Sequence, residues 1–291
     1  MNGYFHYTAG HRWVHSGERG VTVVELLVAM VIGALLVTLV FVFFNTQAKS
    51  FHESRGTAEM QQELRWAMQF LSDHLKLAGN GVPTTCGWQV IENVNGSSGA
   101  PDSLTVLGSF KSLVIVTNQA MANEGSQIPC TTTEGVEAGD LVVISDGTFS
   151  EIFQVTNIQA NHLFHETSPP WNDDDHLGHA YGSGSTVTVI SQFSFSIVND
   201  GAGHPDLMVK TQSDPLQILA GDVDQFQVRY KMKSGVWQDE TSEVYDIREI
   251  QITLRARSPE PIQGYRDQVF GDGYRRIEIK KIVIPKNLVI I

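Results

Sequence analysis

One carboxylate stands where its surroundings demand an explanation. Glu25 lies in the apolar run at residues 20–44, GVTVVELLVAMVIGALLVTLVFVFF, which contains no lysine or arginine. An acid inside a hydrophobic segment costs roughly 2.5–3.5 kcal/mol on insertion scales, so it needs a partner. Cutting the chain after Gly20 would place a new α-amino group on Val21, four residues and one helical turn before Glu25. Proteolysis between Gly20 and Val21 would thus create the missing cation. Such chemistry would be done to the chain, not by it.

Other residue groups were weighed for chemistry of their own. Asn172, Asp173, Asp174, Asp175 and His176, with His179 nearby, could offer ligands to calcium or to a mixed metal site. The run lacks the glycine and distal glutamate of an EF-hand loop and follows Pro169 and Pro170, so a solvated loop is the reading taken, with no metal or other cofactor expected. Arg275, Arg276, Lys280, Lys281 and Lys286 make the C-terminal stretch locally basic, which reads as the guarding of a strand edge before it reads as a nucleic-acid contact. No nucleophile elbow, P-loop, His-Glu-x-x-His helix or dinucleotide glycine motif occurs, and Gly182, Ser183, Gly184 and Ser185 lack the strand-turn-helix context of a phosphate loop. An enzyme is not expected.

The elements that would position Glu25 follow from periodicity. Residues 26–44 hold only Gly33 and Thr38 as interruptions, and as a helix they span roughly 28 Å, about one hydrocarbon core. The run exceeds the 7–15 apolar residues typical of a secretory signal, and no small-x-small site follows at residues 45–49. Beyond it Met60, Leu64, Ala67, Leu71, Leu75 and Ala78 recur at spacings of three and four, with Glu59, Gln62, Glu63, Arg65, Asp73 and Lys76 between them. One helix from Val21 to about Leu77 is expected, weakest at Gly56, and stopped by Gly79, Gly81 and Pro83. From Cys86 onward the period is two. Strands are expected at 103–107, 113–116, 141–145, 151–156, 186–190, 193–198, 206–210, 225–231, 247–256 and 274–284, the last with a bulge at Lys280 and Lys281 because Ile282 and Ile284 are out of phase with Ile277 and Ile279. The fold class is α+β: a long N-terminal helix packed on a mostly antiparallel β domain.

At its N-terminus the chain resembles type IV prepilins with a class III leader, on Glu18, Arg19 and Gly20 followed by Val21, Thr22, Val23, Val24, Glu25 and Leu26. Val21 stands where that family usually has phenylalanine. The resemblance implies a prepilin peptidase that cuts after Gly20 and N-methylates Val21, and a Glu25 that pairs with the amine of a neighbouring subunit during assembly. QQELRWAMQFLSDHLKLAG at residues 61–79 narrows the likeness to PilW-type minor pilins, as do AGDLVVI at 138–144, VDQFQVRY at 223–230 and the stretch 248–259. The implied organisation is a leader at 1–20, a transmembrane and assembly half-helix at 21–44, an amphipathic half at 45–79 and a periplasmic β-rich domain at 80–291.

The implied function is a minor pilin that helps initiate, and caps, a type IV pilus. Its partners would be other minor and major pilins, the prepilin peptidase, the inner-membrane assembly platform and the lipid bilayer. Its location would be the bacterial inner membrane, single-pass with a periplasmic C-terminal domain, and then the pilus tip. Motility or adhesion could depend on it. A type II secretion pseudopilin and a membrane-anchored periplasmic binding module are the alternatives. The net charge of −12 becomes −13 once Arg12, Arg19 and Glu18 leave with the leader, which argues against indiscriminate binding to nucleic acid or anionic lipid. Cys86 and Cys130, an even pair beyond the membrane, are expected to form a disulfide closing a loop of about 45 residues, worth roughly 3–4 kcal/mol.

Overall fold

The computed structural model describes residues 20–288, and its contacts divide the chain into two compact units between Arg55 and Gly56. Helix α1 runs over Val23–Lys76 and contributes to both. Its residues in the first unit are exposed almost throughout: Leu26, Leu35, Phe41 and Phe44 are all more than half accessible. They include an 18-residue window of mean hydropathy 3.0 with no share buried, so length and composition suit a membrane span.

In the second unit the helix is one-sided. Leu64, Ala67, Leu71, Leu75 and Ala78 are at most 1% exposed, whereas Trp66 is 57% exposed. This is the stripe read from the sequence, and the sheets it covers supply the other half of the core. The strands are β1 (Ile91–Val94), β2 (Ser103–Gly108), β3 (Val114–Val116), β4 (Ile128–Pro129), β5 (Leu141–Ser145), β6 (Ser150–Gln154), β7 (Asn157–Gln159), β8 (His162–Phe164), β9 (Thr186–Asn199), β10 (Pro205–Thr211), β11 (Gln217–Ala220), β12 (Val223–Met232), β13 (Trp237–Gln238), β14 (Ile247–Arg257) and β15 (Arg276–Val283). The pairings among them are antiparallel. One sheet has the order β1-β2-β9-β10-β11, with β3 and β5 joined to β9 and β6 to β5; a second has the order β13-β12-β14-β15; a small third has the order β4-β8-β7.

Strand β9 is a single strand where the sequence suggested two. Its first part pairs with β3 and β5, its second with β2 and β10. The break in apolar pattern at Ser191 and Gln192 is a change of neighbours, not a break in the chain. Accordingly it serves two hydrophobic clusters, one holding Leu64, Leu71, Phe195, Phe226 and Ile252 and the other Val142, Ile144, Phe153, Tyr181 and Val187.

The bulge expected in β15 is not there. The ladder to β14 runs without a shift from Ile250↔Val283 to Arg257↔Arg276, with Ile252 opposite Lys281 and Thr253 opposite Lys280. In place of a bulge, Lys281 takes a position on the same face as Ile279 and Val283, and its Nζ donates to Gln69 Oε1 on α1 at 2.9 Å. Ile282 and Ile284 consequently stay on the wet face, 54% and 59% exposed. A long lysine stem can line an apolar face while its ammonium finds a polar partner, which is why the phase argument failed.

The end of α1 is docked by backbone. Gly79 (φ +75°) and Gly81 (φ +69°) turn the chain, as the sequence suggested. Gly79 N–H donates to Leu107 O at 2.9 Å and Ser109 N–H to Asn80 O at 2.7 Å, while Lys286 N–H reaches Lys76 O at 3.2 Å. Asn287 Nδ2 donates to Ala78 O at 3.4 Å. Carbonyls at a helix C-terminus lack intrahelical donors, and here the tail after β15 supplies donors to those of Lys76 and Ala78.

Candidate functional site

The segment around Glu25 begins outside the helix. Gly20, Val21 and Thr22 precede α1, and Val21 is 74% exposed, so the Gly20–Val21 peptide bond lies in accessible, non-helical chain. Thr22 is the N-cap. Its carbonyl accepts the Leu26 N–H at 3.1 Å, and its Oγ1 accepts the Glu25 N–H at 3.2 Å. In return Glu25 Oε2 accepts the Thr22 N–H at 2.9 Å and the Thr22 Oγ1–H at 3.0 Å. This reciprocal pair is a capping box, in which hydroxyl and carboxylate each satisfy an orphan donor of the first turn. The sequence reading missed Thr22, although Thr-x-x-Glu before an apolar run is its signature. Glu25 therefore already has a partner within the chain, and the oxygen Oε1 takes no part in the box.

The cysteines do not form the expected bridge; both are free thiols. Cys86 closes a short 3₁₀ turn, Thr84–Cys86, and its Sγ–H donates to Ser150 Oγ at 3.2 Å. Cys130 is buried in the other cluster, its backbone bridged to Thr117. The two side chains thus belong to different cores. Burial raises the Cys86 pKa and pushes the Cys130 thiol up to about 11, so neither is a ready thiolate.

The acidic run is only partly assembled. Ligand atoms of Asp174, Asp175 and His176 lie within 4.8 Å of one another, all on exposed residues. His176 Nδ1 is 2.7 Å from Asp175 Oδ1, and Asp174 Oδ1 accepts the His176 N–H at 2.8 Å. Asp173 is not in that group. His179 turns elsewhere, to Asp146 Oδ2 at 3.2 Å, and stacks on Phe149.

The basic stretch is largely matched within the fold. Strand β15 is at a sheet edge. Arg276 makes a two-toothed contact with Asp272 at 2.7 Å on each oxygen and donates from Nε to Asp224 at 2.8 Å. Arg255 joins the same Asp224 at 2.7 Å, and both guanidinium groups lie over Phe270, at 4.5 and 4.1 Å from its centroid. The Arg276 hydrogen bond holds Asp272 down at about 2. Lys280 meets Glu278 at 3.0 Å. These contacts favour edge protection over an anion-binding surface.

Residues 15–41 match a family model described as the prokaryotic N-terminal methylation motif. No curated protein matches the chain. Among solved structures, a type IV-like pilin from Thermus thermophilus is similar at 13% identity with a TM-score of 0.36, the alignment covering 79% of this chain and 98% of that one. The methylation motif thus spans Gly20, Val21, the capping box and most of the exposed apolar segment.

Proposed function

We propose that this chain, carrying a prokaryotic N-terminal methylation motif ahead of an apolar helix and an antiparallel β domain, is a subunit of a type IV pilus or a related pseudopilus. More specifically it acts as a minor pilin of the PilW type that helps initiate, and caps, the filament. The single observation that carries this reading is the coincidence, within residues 15–41, of the motif, a scissile bond in exposed chain and a carboxylate capping an unburied apolar helix. A peptidase removes residues 1–20 and methylates Val21; residues 21–44 anchor the subunit in the inner membrane and later pack beside apolar helices of other pilins. The periplasmic β domain selects neighbours. Glu25 exchanges its neutral intrachain donors for the cationic amine of a neighbour, a swap that avoids leaving a bare carboxylate in hydrocarbon.

Intact-mass analysis from membranes with and without prepilin peptidase tests the processing step. Loss of residues 1–20 plus one methyl group, together with a Glu25→Ala variant that is cleaved but stays out of filaments, supports the reading. An uncleaved chain in peptidase-proficient cells would leave a membrane anchor. Loss of secretion with piliation intact in a deletion strain would move the assignment to a pseudopilin.

A further inference from the structure

The sheet containing β9 has a second face with its own organisation. Phe193 and Phe195 point to α1, where they meet Phe70 at 6.1 and 6.2 Å between centroids. Alternation puts Gln192 and Ser194 on the opposite face. There Ser194 stands across from Thr105 on one side and Lys210 on the other, and Thr105 Oγ1 and Ser194 Oγ are 3.0 Å apart. This face is polar where the other is aromatic.

One end of that polar face is walled by a loop held with unusual completeness. Asn172 is 6% exposed; its Oδ1 accepts the Gln154 N–H at 2.8 Å, and its Nδ2 donates to Gln154 O at 2.9 Å and Glu166 O at 2.8 Å. Ser168 Oγ–H adds a bond to Gln154 Oε1 at 2.7 Å. A buried amide with three partners fixes the backbone around it. What it fixes is Pro169, Pro170 and Trp171, with the Trp171 indole lying on Trp88 at 4.6 Å between centroids. Between this wall and the β9–β10 face is a cleft of about 350 Å³, near the lower end for small-ligand sites.

Its hydrogen-bonding side chains are amides, hydroxyls and one ammonium. Gln212 Oε1 is taken by the Gln192 N–H at 2.9 Å, which leaves the Gln212 Nε2 donors. Among the described residues, no side-chain partner engages the Gln192 amide or the Lys210 ammonium. Lys210 is the one charged group lining the cleft, in a chain of net charge −12. An indole and two prolines offer an apolar platform to the C–H face of a pyranose ring; amides suit its hydroxyls; an ammonium suits a carboxylate.

We propose that this cleft binds an acidic saccharide, with a ring against Trp171, hydroxyls on Gln192 and Gln212, and a carboxylate on Lys210. The site is separate from the N-terminal segment and does not depend on the assembly role. The test titrates the full-length chain in detergent micelles with a tetrasaccharide of galacturonic acid and, in parallel, with maltotetraose, following tryptophan fluorescence and saturation-transfer NMR. The acidic sugar binds saturably; Trp171→Ala weakens it about tenfold or more, and Lys210→Gln by about tenfold, the loss of one charge-assisted bond. Lys210 is an exposed side chain, so its variant stays informative if Trp171→Ala disturbs the loop. Absence of saturable sugar binding, or binding indifferent to both substitutions, overturns the proposal. So does binding of a glutamate octapeptide in place of either sugar. Equal affinity for maltotetraose, unmoved by Lys210→Gln, overturns the acidic assignment.

Discussion

Replacing Gly108 by alanine should undo the docking of α1 on β2. A Cβ built there comes within 2.6 Å of the Leu77 carbonyl oxygen, 3.4 Å of Gly79 N and 3.5 Å of Asn80 N. Relief requires the two segments to separate by about 0.9 Å to reach an ordinary contact of about 3.5 Å. The clash is bracketed by Gly79 N–H to Leu107 O at 2.9 Å and Ser109 N–H to Asn80 O at 2.7 Å, so that movement stretches at least one beyond useful length. Overpacking of this kind costs about 1–3 kcal/mol, and a lost hydrogen bond about 0.5–1.5 kcal/mol more. Set against the ~0.4–1 kcal/mol that alanine gains through the unfolded chain, the net loss is about 0.5–4 kcal/mol. Urea unfolding of the full-length chain in detergent, read by tryptophan fluorescence, measures it. Gly182→Ala is the control, because nothing lies within 4 Å of its Cβ and its φ is not positive. A Gly108→Ala loss no greater than that of the control would refute the docking argument.

Three further outcomes are expected. His74 is wedged among Phe70, Phe110 and Phe193, and burial lowers its pKa below the ordinary 6.5. The unfolded chain therefore binds the proton more readily, so this residue's contribution is complete above about pH 6.5 and declines as pH falls toward the folded value; His74→Phe should flatten that slope in pH-dependent unfolding. Thr22→Val removes the hydroxyl of the capping box at a cost of about 1 kcal/mol and should raise hydrogen exchange at the amides of residues 22–26 while leaving exchange in residues 60–76 unchanged. Finally, alkylation without reductant should modify neither thiol quickly in the native chain and both after denaturation; a chain that accepts alkylation only after reduction would restore the Cys86–Cys130 bridge.

The α+β architecture was legible because both halves of α1 carry their environment in their periodicity: apolar all round before Phe44, apolar at threes and fours from Met60 to Ala78. Strands with internal alternation were equally visible, as at Ile247–Arg257, where Ile250, Ile252 and Leu254 alternate with Gln251, Thr253 and Arg255. The short pieces were not. Ile128–Pro129 and Trp237–Gln238 have two residues each and exist because a neighbour pairs with them, which leaves no period to read. At the candidate site the sequence drew attention to Gly20, Val21 and Glu25 but not to Thr22, whose role in the capping box is local geometry. The cysteines show the other limit. An even count and a plausible spacing say nothing of which core each side chain enters.

The hydrogen bond from Lys286 to Lys76 has a temporal side. A chain synthesised N-terminus first makes the apolar stripe at residues 60–78 long before Val283 and Leu288, both at most 2% exposed in the finished domain, can cover it. The Leu288 side chain packs near Gly79, and the Lys76 and Ala78 carbonyls wait for donors at residues 286 and 287. The interval between those two segments is some two hundred residues of chain, so the stripe stays uncovered on that side until synthesis is nearly finished. Closure of the domain thus needs the complete chain, and truncation within β15 would leave the apolar stripe of the helix without Val283 and Leu288.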